Sequence, residues 1–249
     1  MTKTICIVYA PGAYGSFLGW AIDRFNTIRV SYEPKVLDDP ILPDGSSHSY
    51  ASFCKVRDTD TFISELEKCR SQNPHWGYGI YGGWPANIGE SIDAAIHQIY
   101  SWMNHDDRII FVERPTLQEV FLCWLNNETK MTRERWYGIL NIQDDSELTQ
   151  RLHQEVQTKN LNDSYDNRLL RISVNDILYN NANNTLKLLH DHIGFNVCDN
   201  EIFINMHNKM LSLQDNIMTL DSLLKNKAPL TSAQKSITNY IKENKNGFY

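Results

Sequence analysis

Thr4-Ile5-Cys6-Ile7-Val8-Tyr9-Ala10-Pro11-Gly12-Ala13-Tyr14-Gly15-Ser16-Phe17-Leu18 is the stretch whose reading decides the fold. Ile5 to Tyr9 is an apolar run of strand length. It breaks at Pro11-Gly12, turns through Gly15-Ser16, and enters an apolar-periodic segment with Phe17, Leu18, Trp20, Ala21, Ile22 and Phe25. Strand, glycine turn and helix form the local geometry that binds phosphate. The turn lets backbone N–H groups approach an anion, and the helix start adds a positive dipole end. No Lys follows the last glycine, so the loop departs from G-x-x-x-x-G-K-[ST], which argues against an ATPase or GTPase.

Downstream, the same alternation recurs. Gly77-Tyr78-Gly79-Ile80-Tyr81 reads as a second strand, ending at Gly82-Gly83-Trp84-Pro85. Ser91 caps a helix with Ile92, Ala95, Ile96, Ile99, Trp102 and Met103 on its apolar positions, and Asn104-His105-Asp106-Asp107 ends it in a solvated turn. Ile109-Ile110-Phe111-Val112 is continuously apolar, as a buried parallel strand should be. Glu113-Arg114-Pro115 follows, and Thr116-Leu117-Gln118-Glu119 fits a capping box. Leu169 to Ser173 is a fourth strand. A helix through Leu186, Leu189 and Ile193 stops at Gly194, and residues 201–224 read as a long helix. Strands alternating with helices predict an α/β fold: a mostly parallel central sheet with helices on both faces. Residues 1–249 are read as a single domain.

Bulk properties narrow the classes of function. Net charge is −6 with no dense Lys/Arg tract, which argues against nucleic acid as a partner. No apolar run approaches the ~20 residues that span a bilayer, so no membrane partner is expected. The first strand begins by Thr4, leaving no room for a signal peptide. The five cysteines have no metal-ligand spacing and read as free thiols. A cytoplasmic protein without a bound metal is the expectation. His190 and His192 are two apart on a helix and cannot face one ion together.

Several segments in order carry a resemblance. They are Tyr9-Ala10-Pro11 at the loop, Trp84-Pro85 after a strand, the run from Arg108 through Arg114-Pro115, Leu169 to Ser173 with its acidic helix start, and Leu230-Thr231 with Gln234. The order resembles the P-loop sulfotransferases that use 3′-phosphoadenosine 5′-phosphosulfate (PAPS). That resemblance implies a three-layer, P-loop nucleotide-binding fold and a PAPS co-substrate. Its sulfuryl group would pass to a hydroxyl or amine of a small-molecule or carbohydrate acceptor. Pro11, Gly12, Ala13, Tyr14, Gly15, Ser16 and Phe17 would cradle the 5′-phosphosulfate. Arg114, with Arg108, would hold the 3′-phosphate. The acceptor's proton needs a base. Glu33 is one candidate, near the place of a catalytic Glu in carbohydrate members of the family. His48, in the irregular stretch after the first helix, is the other, and His75, just before the second strand, comes third. The sequence departs from the family where Gly12 stands at the usual loop lysine and Leu122 at the usual serine after Arg114. Two alternatives follow: a non-catalytic nucleotide- or partner-binding protein, and a divergent P-loop kinase.

Overall fold

The computed structural model describes residues 5–9, 13–23, 41, 63–64, 80–83, 92–115, 119–120, 123, 165–178, 182–194 and 200–214. Four strands lie among them: β1 (Ile5–Tyr9), β2 (Ile80–Gly83), β3 (Arg108–Glu113) and β4 (Leu169–Ser173). The helices are α1 (Gly15–Asp23), α2 (Ile92–Trp102), α3 (Val174–Leu178), α4 (Ala182–Ile193) and α5 (Asn200–Gln214). The strands form one sheet in the order β2-β1-β3-β4, and every pairing is parallel.

The apolar runs explain the order. Ile5, Cys6, Ile7 and Val8 are all buried, as are Ile109, Ile110, Phe111 and Val112. A strand covered on both faces needs apolar side chains at every position, not at alternate ones. Those two strands are neighbours, with Ile7 opposite Ile110 and Tyr9 opposite Val112. The pattern relaxes in β4, where only Ile172 is buried.

Two apolar clusters divide the sheet residues by parity. Ile5, Ile7, Ile110, Val112 and Ile172 pack with α1, α3, α4 and α5. Cys6, Val8, Ile109 and Phe111 pack with Ile96 and Ile99 of α2 and with Met103. Described helices therefore cover both faces, and the α/β expectation stands at that level. The middle of helix α1 is apolar and buried: Phe17, Leu18, Trp20, Ala21 and Ile22 have no exposed surface. The Phe17 ring stacks on Trp20 at 5.5 Å and meets Phe203 of α5 at 5.2 Å.

Local chemistry sets the element ends. Gly194 closes α4 at φ 79°, and its N–H donates to the His190 carbonyl at 2.9 Å. This is the left-handed glycine cap expected there. Ser173 and Asp176 form a reciprocal box at the start of α3. Asp176 Oδ2 accepts from the Ser173 N–H (3.1 Å) and hydroxyl (2.8 Å), and the Asp176 N–H donates back to Ser173 Oγ at 3.0 Å.

The turn before β3 differs from its expectation. Asp106 is partly exposed, but Asp107 has no exposed surface. Its Oδ2 accepts the Asn104 N–H at 2.7 Å, and its own N–H donates to the Asn104 carbonyl at 3.0 Å. The turn closes on itself and buries one carboxylate. The second half of the long helix expected over 201–224 lies outside the described residues beyond Gln214.

Candidate anion site at the carboxyl edge

In a parallel sheet every strand ends at the same edge. β1 lies between β2 and β3, and the chain crosses β1 as it passes from β2 to β3. In open α/β sheets such a reversal marks the general binding place, beyond the carboxyl ends of the strands. Tyr9 ends β1 opposite Val112, so the turn into α1 and the residues after Val112 leave the sheet side by side.

The turn carries an unusual backbone. Tyr14 has φ 60°, in the left-handed region, although it is not glycine and its side chain is only 6 % exposed. A non-glycine residue held there costs about 1–2 kcal/mol, which the burial of its aromatic ring offsets. Helix α1 begins at the next residue. A left-handed residue followed by helical ones turns successive N–H groups toward one side, forming an anion-binding concavity. The Tyr14 carbonyl accepts from Phe17 N at 3.0 Å and Leu18 N at 3.2 Å. Phe17 is therefore committed inside the helix. The donors of the first turn are Gly15 and Ser16, which have no carbonyl one turn earlier within α1.

Gly15 is needed for a reason the sequence did not reveal. A Cβ there would fall within the ring of Tyr9. The glycine permits Tyr9 to lie against the start of α1. Left-handed backbone falls instead on Tyr14. Ala13 is buried beside it. Pro11, Gly12, Glu33, His48 and His75 lie outside the described residues, as does the Ser16 side chain.

Arg114 leaves the end of β3 at this same edge and is 4 % exposed. Arg108 is not brought there. It begins β3, six residues earlier, which in a strand is about 20 Å away. Its Nε donates to the His192 carbonyl at 3.0 Å, and Nη1 donates to the carbonyls of His105 (3.1 Å) and Asp107 (2.8 Å). Arg108 caps the C-terminus of α4 and ties it to the turn before β3. A signal was present in the sequence: two residues bracketing one strand stand at opposite edges.

His192 belongs to that amino edge too, where its Nε2–H donates to the Ile109 carbonyl at 3.0 Å. Burial lowers its pKa most, the Ile109 hydrogen bond opposes this, and the Arg108 charge adds to the lowering, leaving it at about 4. His207 is buried against the Phe17 and Phe203 rings and donates Nε2–H to the Ile177 carbonyl at 2.6 Å. Burial lowers its pKa as well.

The rest of the carboxyl edge is charged and internally paired. Arg171 meets the Glu113 carboxylate at 2.7 and 2.8 Å. Glu119, fully buried, accepts the Asn175 N–H at 2.9 Å on Oε1. Sequence reasoning missed this contact because its partners are 56 residues apart. The Ser173 hydroxyl is engaged with Asp176 at 2.8 Å. Among the described residues no group of three or more His, Cys, Asp or Glu could hold a metal, and no helix is long and apolar enough to cross a membrane. Compared with known protein families, with curated proteins and with solved structures, the chain matches none.

Proposed function

We propose that the carboxyl edge binds a nucleotide carrying two anionic groups, and that the protein is a sulfotransferase using PAPS in a P-loop-type, three-layer α/β fold. One observation carries the reading: the left-handed turn at Tyr14 opens α1 at the switch point, beside the strand end that bears Arg114. The backbone N–H groups of the turn would receive the 5′-phosphosulfate, and Arg114 the 3′-phosphate. Arg114 is buried, so a phosphate reaching it leaves bulk water, where a charge-assisted bond is stronger.

Catalysis would then be mainly positioning and charge stabilisation. The acceptor's oxygen or nitrogen forms a bond to sulfur as the S–O bond to the 5′-phosphate breaks. The bond's electron pair goes to the phosphate oxygen, and the acceptor's proton to Glu33 or His48. The acceptor would be a small molecule or a carbohydrate. A nucleotide binder without transferase activity is the second reading. Gly12 at the usual lysine position favours it, since the loop then neutralises less of the developing charge.

Isothermal titration with adenosine 3′,5′-bisphosphate tests the reading. Micromolar binding is expected, abolished in Arg114→Ala and weakened about tenfold in Arg114→Lys, which keeps the charge but not the planar fork. Absence of binding, or equal binding of ATP, overturns it. Sulfuryl transfer from PAPS to an acceptor panel separates enzyme from binder.

A further inference from the structure

We infer that His207 is a positioning residue for the turn that opens α1, acting through Phe17; its consequence for binding rests on the anion reading above. Helices α1 and α3 both start at the carboxyl edge, one after β1 and the other directly after β4. α3 has five residues, and its far end is buried at Ile177 and Leu178. The last carbonyls of a helix have no partner inside it and need donors from elsewhere. Two buried polar side chains supply them. Thr185 Oγ1 of α4 donates to the Asp176 carbonyl at 2.9 Å, and His207 Nε2–H of α5 donates to the Ile177 carbonyl at 2.6 Å.

The His207 ring also meets α1. Its centroid lies 6.4 Å from that of Phe17 and 6.2 Å from that of Phe203, and Phe203 in turn meets Phe17 at 5.2 Å. These are the separations of packed aromatic rings. Phe17 is the third residue of α1. Its N–H donates to the carbonyl of Tyr14, the left-handed residue of the turn, and so does the N–H of Leu18. One imidazole therefore fastens the end of α3 by its nitrogen and packs on the start of α1 by its ring. An apolar side chain of similar size would keep the packing but leave the Ile177 carbonyl buried without its donor, loosening α5 from α3. Phe17, packed on α5 through two rings, would then hold the Tyr14 carbonyl less firmly.

The test follows exchange of the Phe17 and Leu18 amide hydrogens in the full chain by NMR, without ligand. His207→Leu is expected to speed their exchange about tenfold relative to the amides of β3, which report global opening. His207→Gln, whose side-chain amide can reach the same carbonyl, is expected to restore wild-type exchange. Thr185→Val orphans the neighbouring carbonyl but leaves the rings on Phe17, and is expected to leave the ratio unchanged. If His207→Leu does not fold, His207→Asn replaces it; its amide falls short of Ile177, and the same acceleration is expected. Unchanged exchange at Phe17 and Leu18 overturns the role of His207, as does equal acceleration in Thr185→Val or no rescue in His207→Gln. Affinity for adenosine 3′,5′-bisphosphate is expected to fall about tenfold in His207→Leu and to be kept in His207→Gln. Faster exchange with unaltered affinity overturns the consequence for binding alone. A wild-type protein that binds nothing overturns the anion reading, and the exchange data then decide the role of His207 in the turn by themselves.

Discussion

At the scale of single residues, Gly15 and Tyr14 divide work that a sequence assigns to glycines alone. Gly15→Ala sets a methyl into the base of the Tyr9 ring, which cannot swing away as the end of a flexible chain could. Overpacking of this kind costs about 1–3 kcal/mol. In a chain of this size that lowers the melting midpoint by about 2–4 °C per kcal/mol. A Gly15→Ala protein melting with wild type would show that the ring is not held there. The turn's location was legible from Pro11, Gly12 and Gly15. Its left-handed residue was not, because intrinsic preference favours glycine and the burial of Tyr14 overrides it. Asp107 is similar: a charged residue in a polar turn reads as solvated, yet it is buried where the turn closes on Asn104.

At the scale of elements, the strands were legible because β1 and β3 are continuously apolar, and α4 because its stripe ends at Gly194. The contacts that fix elements against one another were not. Arg108 reaches a carbonyl 84 residues away, and His192 one 83 residues away. No local pattern announces such partners. These contacts give α4 a pH dependence. His192 titrates at about 4 when folded, against 6.5 for the ordinary group. Above pH 6.5 both states are neutral and the group has no effect. As pH falls from 6.5 toward 4 the unfolded chain takes up the proton first, so stability is lost, by up to about 3 kcal/mol from this residue. His207 is lowered too and acts with the same sign. Denaturant melts at pH 7 and pH 5 are expected to show the drop, and His192→Gln, which can still donate to Ile109, to reduce it. An unchanged drop in that variant would remove His192 from the account.

At the scale of the whole molecule, the described core is two apolar layers on one parallel sheet, and Cys6 lies within the second of them. Burial, then the negative charge of Asp107, push its thiol up to about 12. β1 is an interior strand of the described sheet, yet the partners that flank it come 75 and 103 residues later, with Ile5 meeting Ile80 and Arg108. During synthesis Ile5 to Val8 and the apolar residues of α1 must wait for both. Nascent chains are at risk of aggregation over that interval, since non-local pairing is slow and unpaired apolar strands associate. Cys6 reports when the wait ends. In ribosome-bound chains stopped before Arg108 its thiol is expected to react with maleimide like that of an unfolded peptide. In the finished protein it is expected to be protected. Equal protection in the stopped chains would mean that β1 closes before β3 exists. With β1 lying between two strands made later, its apolar run stays unpaired during synthesis until Glu113 has emerged.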